Sequence, residues 1–522
     1  MKTRTVIKVV LSFSVILLCV GFALYFFFRL TAADRQKDLD LFSVIPPSAA
    51  AVLVVDDASM FVDNWEHLTE GGDSHSLRTS RLLADLRDYL HTLNEGEAHG
   101  VSSRLNQIML SCHAPYTNLD QVLYCHVGEF DHEVFERFIA SRAFREYPPK
   151  ILKYRGEEIY VYPTEDGGFL AAYLQSDFSA ISYEARLLKE VVDVHLSGKS
   201  LKADAAFQKA SRRRKAVGET LFYVNWKQWA GWVAFQLKMQ NGFIYLSGME
   251  DAKNEMGKQF VDMVGRKEPI SGFSREWLPA STFQFMRCSV SDWQLWLDIQ
   301  QGLTEARSEV SPFTETDSLF GNFLANRAAD EVLFCRMATS DSLHTTATVL
   351  NWKLFDAGES EHSWKTLWNV RAELGRPVLH RLPSSGRTVE CYRLPAGCFY
   401  AAILHTTSSE AEAHVCFYRN RLLMSSSLQG LLDYADSLET DNLFGEDGDY
   451  AKGIAQLSDA SHFLMMARLE DVFKQSDRAQ TLLPEIFEHY MCFFRYFSLY
   501  VQASHVDGII YPELVLHYHK QP

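Results

Sequence analysis

The chain has 522 residues, of which 47% are hydrophobic and 22% charged, a composition typical of globular proteins rather than disordered ones. That length suggests two to four domains, each large enough to bury its own core. The formal net charge is −15 although residues 1–30 are basic, so the rest of the chain is strongly acidic. Such a surface repels phosphate backbones, and we expect no nucleic-acid partner.

The first predicted element is a transmembrane helix. Residues 9–28 form a continuous apolar run without a charge, and a helix of that length crosses about 30 Å of hydrocarbon. The basic tail at residues 1–8 resembles the start of an export signal. We therefore expect an uncleaved signal anchor with a cytoplasmic N-terminus, a juxtamembrane linker over residues 29–43, and a body in the periplasm of a bacterium whose inner membrane holds the anchor.

Two other interpretations of this N-terminal segment compete with the anchor. A signal peptide cleaved near Thr31-Ala32-Ala33 is one of them, because those small residues suit a cleavage site. A lipoprotein is the other, and it is disfavoured because Leu18 precedes Cys19, where a small residue is needed. The anchor remains the preferred interpretation because the apolar run is longer than a usual signal sequence.

The body contains a weak internal repeat. Ile45-Pro46-Pro47-Ser48-Ala49 precedes a predicted strand and an amphipathic helix, and Leu278-Pro279-Ala280-Ser281 precedes the same order of elements. A strand and helix predicted over residues 178–196 likewise match a strand and helix over residues 422–438. We therefore predict a duplication, with a first lobe over residues 44–267 and a second over residues 268–522.

The predicted fold class is α+β. Alternating apolar residues at 154–162 and 169–174, and again at 498–504 and 509–518, indicate antiparallel strand pairs. Asp, Asn or Ser residues follow several predicted strands, and such residues often cap the helix that comes next. We expect two related lobes, each with a mostly antiparallel sheet covered on one face by helices.

The two openings, Ile45-Pro46-Pro47-Ser48-Ala49 and its looser copy at residues 278–281, resemble those of a bacterial family of membrane-anchored envelope proteins that contain a domain of unknown function. Members of that family have an N-terminal span and an Ile/Leu-Pro-x-x-Ala opening before the first strand. The resemblance covers most of the body. It implies a place in the cell envelope, and it implies no activity, cofactor or site residue.

Two groups of histidines have spacings that metal sites use. His132 and Glu136 lie at i and i+4 of a predicted helix, with Glu133 where a general base would sit, but a zinc protease helix needs a second histidine at position 136. His517 and His519 alternate on the last strand and would need a third ligand such as His505. The first group is more simply explained by the acids that often occupy a first helical turn. The second is more simply explained as exposed polar residues of a terminal strand.

Five further segments suggest chemistry but fit structural roles better: the phosphate-loop-like Gly198-Lys199-Ser200, the basic run 212–215, the tryptophans Trp226, Trp229 and Trp232 at helical spacing in a helix predicted over residues 226–239, the acidic segment 441–449, and the cysteines Cys391 and Cys398, which flank a predicted hairpin turn. We therefore assign no catalytic, cofactor-binding or metal-binding residue and expect no cofactor.

The leading functional hypothesis is a non-enzymatic, membrane-anchored binding or assembly protein of the cell envelope, with a protein, glycan or lipid partner. Its basis is the anchor, the duplication and the lack of a recognisable catalytic motif. One alternative is an envelope hydrolase whose site is assembled from distant residues. A second alternative is a carrier of a lipid or another small ligand, which would need a large apolar cavity.

Overall fold

The computed structural model describes most of the chain beyond residue 38. The described ranges are 39–69, 107–127, 138–139, 147–297, 315–340, 345–394, 412–474 and 487–519, apart from short gaps at 116, 118, 165–166, 213–218, 227–230, 252–254, 265–267, 273–274, 372–374, 446–447 and 488–489. The predicted anchor at residues 9–28 and the predicted metal helix at residues 131–137 lie outside the described residues.

Antiparallel strands are the main structural element. The described residues contain 23 strands: β1 (Ala51–Val55), β2 (Ile108–Cys112), β3 (Gln121–His126), β4 (Lys150–Tyr154), β5 (Glu157–Pro163), β6 (Phe169–Leu174), β7 (Phe178–Ser182), β8 (Thr220–Trp226), β9 (Gly231–Gln240), β10 (Phe243–Gly248), β11 (Glu250–Asp251), β12 (Ile270–Ser271), β13 (Thr282–Ser289), β14 (Ala328–Ala338), β15 (Thr346–Leu354), β16 (Val378–Arg381), β17 (Thr388–Leu394), β18 (Ala413–Tyr418), β19 (Arg421–Ser425), β20 (Ala460–Ser461), β21 (Phe463–Arg468), β22 (Phe497–Val506) and β23 (Ile509–Tyr518).

The helices lie between these strands. Their bounds are α1 (Ala58–Thr69), α2 (Ala185–Ser197), α3 (Ala205–Ser211), α4 (Glu255–Val264), α5 (Glu315–Arg327), α6 (Ala357–Asn369), α7 (Leu428–Glu439), α8 (Gly448–Ile454), α9 (Leu469–Lys474) and α10 (Met491–Phe494). A further helical turn covers residues 293–297, and 3-10 turns cover Leu41–Ser43, Leu201–Ala203 and Arg275–Trp277.

One 21-stranded sheet contains every strand except β12 and β20, which pair with each other. Following the pairings, the order is β4-β5-β6-β7-β3-β2-β1-β8-β9-β10-β23-β22-β21-β13-β14-β15-β19-β18-β17-β16, and β11 pairs with β23 beside β10. Every one of these pairings is antiparallel. The sheet is therefore one continuous surface from β4 to β16.

The strand order is the same when it is read from either end. Read inward from one end, the first ten strands are β4-β5-β6-β7-β3-β2-β1-β8-β9-β10. Read inward from the other end, they are β16-β17-β18-β19-β15-β14-β13-β21-β22-β23, so each strand of the first half has a counterpart at the same place in the second half. Equivalent hydrogen bonds accompany this order. Ser182 Oγ donates to the Gln121 carbonyl over 2.7 Å in the first half, and Ser425 Oγ donates to the Thr348 carbonyl over 2.7 Å in the second.

Helices cover both faces of the sheet. In the second half, α5 and α6 pack tryptophan and phenylalanine side chains on one face, while α7 and α8 pack on the opposite face. The first half has α2 and α3 on one face and α1 on the other. Strands enclosed on both sides read as continuous apolar runs, and the buried strand β19 (RLLMS) is an example.

The predicted fold of two separate α+β lobes is wrong. Strand β10 pairs with β23 from Phe243↔His517 to Ser247↔Glu513, so the sheet passes from one half to the other without a break. Helices on both faces also differ from the predicted single covered face. This pairing joins strands more than 250 residues apart in the chain, which short-range periodicity does not reveal.

The predicted helix over residues 226–239 is also wrong. Trp226 ends β8, and Trp232 lies in β9 opposite Asn225. Trp232 is buried, whereas Trp229 lies outside the described residues. The three-residue spacing of the tryptophans suggested a helix, but Trp226 and Trp232 lie in two strands that pair with each other.

The predicted membrane topology lacks support in the structure. In the part of the chain that the structure describes, no helix has the length and apolar character that crossing a bilayer requires. The longest helices within the described ranges, among them α2 and α5, have 13 residues, whereas a span needs about 20. We therefore withdraw the signal anchor, the membrane as a partner, and the inner-membrane and periplasmic location that were inferred from them.

Candidate functional site

The predicted histidine ligands on the last strand do not form a three-ligand site. His517 and His519 are close, with ring centroids 4.8 Å apart, but His517 stacks on Phe243 and His519 Nε2 contacts Ser498 Oγ at 2.6 Å. His505 lies seven strand positions from His517 along the same hairpin, roughly 24 Å away. No group of three or more His, Cys, Asp or Glu side chains within the described ranges is arranged to hold a metal ion.

The other sequence candidates occupy structural positions. Gly198 ends α2 in the left-handed conformation, with φ of 70°, so Gly198-Lys199-Ser200 is a helix C-cap. Asp441 lies in a turn with φ of 53°. Cys391 faces Cys416 across β17 and β18, and Cys398 lies outside the described residues. Of the basic run 212–215, only Arg212 is described, and it is the C-cap of α3.

A buried histidine lies at the centre of a polar network in the first half. His113 Nε2 lies 2.7 Å from Ser111 Oγ, and His113 Nδ1 lies 3.1 Å from Ser48 Oγ. Ser48 Oγ donates to Glu190 Oε2 over 2.9 Å. Hydrolases that activate a serine place a carboxylate directly on the imidazole, whereas here the Ser48 hydroxyl stands between Glu190 and His113.

Burial argues for a structural role of this network. Ser111 is 0% exposed and His113 is 1% exposed, so neither the hydroxyl nor the imidazole faces a space that a substrate enters. Burial, helped by the nearby Arg186 guanidinium and opposed by Asp120, lowers the pKa of His113 to about 4. The network ties the segment before β1 to α2 and to the turn between β2 and β3.

A cavity of about 450 Å³ lies where the two halves of the sheet meet. Its walls are the end of α1, the turn between β9 and β10, and the end of β23. The lining residues are Asn64, His67, Leu68, Met239, Gln240, Asn241, Gly242 and Tyr518. Two apolar side chains and several amide, imidazole and phenol groups thus face one space, and none of the lining residues that the structure describes is Asp, Glu, Lys or Arg.

The wall formed by α1 is held in place by aromatic packing. Asp57 caps the helix start, because its carboxylate accepts a hydrogen bond from the Met60 amide over 2.9 Å. One turn further, Trp65 stacks on Phe493, with ring centroids 5.0 Å apart. Leu68 is buried in the same apolar cluster. These contacts hold the C-terminal half of α1 in place. Asn64 and His67 belong to that half and line the cavity.

The opposite wall is a tight hairpin turn. Asn241 and Gly242 have φ of 53° and 82°, the pair of positive values that a type I′ turn requires. The Tyr518 amide donates to the Gly242 carbonyl over 3.1 Å, which attaches the end of β23 to this turn. The Tyr518 ring packs edge-on against Phe497, with centroids 5.4 Å apart. The cavity therefore has rigid backbone on two sides.

Three amide side chains of the cavity form no hydrogen bond with another residue that the structure describes. They belong to Asn64, Gln240 and Asn241. An amide group carries two donors and an acceptor, so each of the three can bind a polar ligand. Sequence reasoning missed this site because it placed residues 226–239 in a helix, although Asn241-Gly242 is a strong hairpin signal.

The comparisons with known proteins do not assign the chain to a family. No protein-family model matches the chain, and no curated protein matches it. Among solved structures, one described as the structure of crystal form IV of TP0453 aligns with 40% of this chain and 80% of its own, at 11% sequence identity and a TM-score of 0.24. A likeness at that TM-score carries no argument about fold or function, and the family resemblance inferred from residues 45–49 and 278–281 stays a prediction.

Proposed function

We propose that the protein is a non-enzymatic binding protein and that its cavity holds a neutral, hydroxyl-rich ligand, a short saccharide. The observation that carries the proposal is the described part of the lining: three amides without a side-chain hydrogen bond to another described residue, an imidazole and a phenol surround the space, and no described Asp, Glu, Lys or Arg does. The volume of about 450 Å³ falls in the usual range of ligand pockets, about 300–1,000 Å³.

The lining chemistry favours a neutral polar ligand over a charged one. An ion taken out of water needs a partner of opposite charge, and the described lining residues include no Asp, Glu, Lys or Arg. A sugar hydroxyl both donates and accepts, which matches the donors and acceptor of Asn64 and Gln240. The Tyr518 ring adds an apolar surface for the C–H groups of a sugar ring.

The alternative functions fit this geometry less well. A lipid carrier would need a mostly apolar cavity, but among the lining residues that the structure describes only Leu68 and Met239 are aliphatic. A hydrolase built on this network would need the His113 imidazole as its base, and that imidazole is 1% exposed. A glycan is therefore the partner, among the protein, glycan and lipid classes, that the cavity supports best.

The internal duplication is also part of this proposal, because the cavity lies beside the junction of the two repeated units. We infer that residues 44–267 and 268–522 descend from one repeated unit, supported by the matching strand order and by the matching serine hydrogen bonds of Ser182 and Ser425. Tyr518 belongs to the second unit and the other lining residues to the first. The cavity thus lies beside the β10–β23 pairing that joins the two units.

Calorimetric titration with maltose, cellobiose and N,N′-diacetylchitobiose tests the proposal. At least one disaccharide should bind the unaltered protein, and the double variant Asn64→Ala/Gln240→Ala should bind it at least about tenfold more weakly, because each lost hydrogen bond is worth about 0.5–1.5 kcal/mol. Asn420→Ala is the matched control, since Asn420 is an exposed amide in another hairpin turn. Absence of binding by all three sugars, or equal binding by the double variant, would refute the proposal.

A further inference from the structure

Two cysteines face each other near one end of the sheet. Cys391 of β17 is the direct register partner of Cys416 of β18. Residues directly opposite in an antiparallel pair have Cα atoms about 4.5–5.5 Å apart. Disulfides span Cα separations of about 4.4–6.8 Å, so this register already satisfies the main distance requirement for a bond.

Among the cysteines in described strands, only Cys391 and Cys416 lie directly opposite each other on neighbouring strands. Cys112, Cys125, Cys288 and Cys335 also lie in described strands, but each of them faces residues other than cysteine on both neighbouring strands. We propose that Cys391 and Cys416 form a cross-strand disulfide when the protein meets a disulfide oxidant.

The position of the pair explains how an oxidant reaches it. Both cysteines are buried in the folded state, with exposures of 4% and 0%. In the described part of the chain, however, only the four-residue strand β16 lies between β17 and the end of the sheet. The end strands of a sheet open more readily than central ones, so local opening, or folding itself, exposes the two thiols.

The chemistry is a two-step thiol–disulfide exchange. The Cys391 thiol loses a proton, and its thiolate attacks a sulfur of the oxidant, which is a small disulfide or the disulfide of an oxidoreductase. The oxidant's S–S bond breaks, a mixed disulfide forms, and one oxidant sulfur leaves as a thiolate. The Cys416 thiolate then attacks Cys391 Sγ and releases the second oxidant thiolate. Two protons and two electrons thus pass from the cysteine pair to the oxidant, which ends as two thiols.

Cys391 is the better attacking group of the two. The hydrogen bond from Cys416 lowers the pKa of Cys391 more than burial raises it, and the same contact together with burial raises the pKa of Cys416. The deprotonated form is the nucleophile in the exchange, so the first attack falls to Cys391. The product ties β17 to β18 and prevents the end of the sheet from opening.

The test uses the full chain refolded from urea in oxidised glutathione, so that burial does not block the reaction. Free thiols are alkylated and the digest is analysed by mass spectrometry. We expect a cross-linked peptide pair that contains Cys391 and Cys416 and is lighter than the reduced pair by two hydrogen atoms. Full alkylation of both residues, or linkage of either to a different cysteine, would overturn the proposal.

A stability measurement gives a second readout. The oxidised protein should have a higher urea midpoint than the reduced protein, because the bond constrains the unfolded chain. That difference should vanish in Cys391→Ser and persist in the control Cys335→Ser, whose thiol faces Phe285 and Val349. The mass measurement on the unaltered chain decides the question even if a serine variant does not fold.

Discussion

Asp193 and Asp436 lie at equivalent places on α2 and α7, and each holds the turn of a hairpin at one end of the sheet. Asp193 accepts a hydrogen bond from Tyr154 Oη over 3.1 Å and pairs with Arg155 at 2.9 Å, at the β4–β5 turn. Asp436 accepts the amides of Ser384 and Ser385 over 2.8 and 2.9 Å, at the β16–β17 turn. One carboxylate thus anchors each outermost hairpin to its covering helix.

The two carboxylates should differ in their contribution to stability. Asp436→Ala removes the acceptor of two amides and should lower the free energy of unfolding by about 1–3 kcal/mol. Asp193→Ala breaks a solvent-exposed ion pair and should cost less than about 1 kcal/mol. Urea unfolding of both variants measures the difference. An equal or larger loss for Asp193→Ala would contradict this assignment.

Gly430 is required where α7 approaches β15. A Cβ added to Gly430 would collide with the Ala347 side chain, so Gly430→Ala should destabilise the protein by about 1–3 kcal/mol or more. Gly358→Ala in α6 is the matched control, because the nearest atom to its Cβ is 3.7 Å away. That change should stabilise by about 0.5–1 kcal/mol, since alanine favours helix. Thermal unfolding of the two variants should therefore shift in opposite directions.

A buried ion pair joins β14 and β19. Arg421 Nη1 lies 2.6 Å from Glu331 Oε1, both side chains are at most 6% exposed, and the guanidinium lies 4.5 Å from the Trp277 ring centroid. Glu331→Gln should cost about 3–5 kcal/mol, because it leaves the Arg421 charge buried without a counterion. The double variant Glu331→Met/Arg421→Met should regain most of that loss. A double variant as unstable as the single one would show that the pair itself stabilises the fold.

Stability should fall in mild acid because of His113. Its pKa is about 4 in the folded protein against 6.5 as the ordinary value, so below pH 6.5 the unfolded chain binds a proton that the folded chain does not. The contribution is fully present above pH 6.5 and is lost between pH 6.5 and about 4. The loss approaches about 3 kcal/mol, at about 1.4 kcal/mol for each pH unit.

Unfolding free energies measured from pH 7.5 to 4 test the His113 prediction. His113→Gln should be less stable than the unaltered protein at pH 7.5, and its stability should decline less steeply between pH 6.5 and 4. The same steep decline in the variant would assign the pH dependence to other groups.

Short-range patterns in the sequence predicted several strands and helices close to the positions at which the structure places them. The predicted strand at residues 282–286 lies within β13, and the helices predicted over 184–196 and 428–438 correspond to α2 and α7. These elements have strong apolar periodicity and a clear start, such as the Ser427 side chain that accepts the Gly430 amide. Periodicity within one element is sufficient to find such segments.

The sheet and the cavity depend on contacts that no local pattern contains. The β10–β23 pairing joins distant strands, and its residues would be equally apolar in two separate sheets. The cavity combines α1, the Asn241-Gly242 turn and Tyr518, which are scattered from residue 64 to residue 518. A single misassigned helix at residues 226–239 was enough to hide the turn that forms one of its walls.

The most direct test of the proposed saccharide site is a methyl NMR titration. Met239 lines the cavity, and its resonance in protein labelled at the methionine methyl groups can be assigned by comparison with Met239→Leu. The proposal predicts that a disaccharide shifts the Met239 methyl signal saturably while the buried Met424 and Met466 signals stay in place. An unmoved Met239 signal at saturating concentrations of maltose, cellobiose and N,N′-diacetylchitobiose would contradict it.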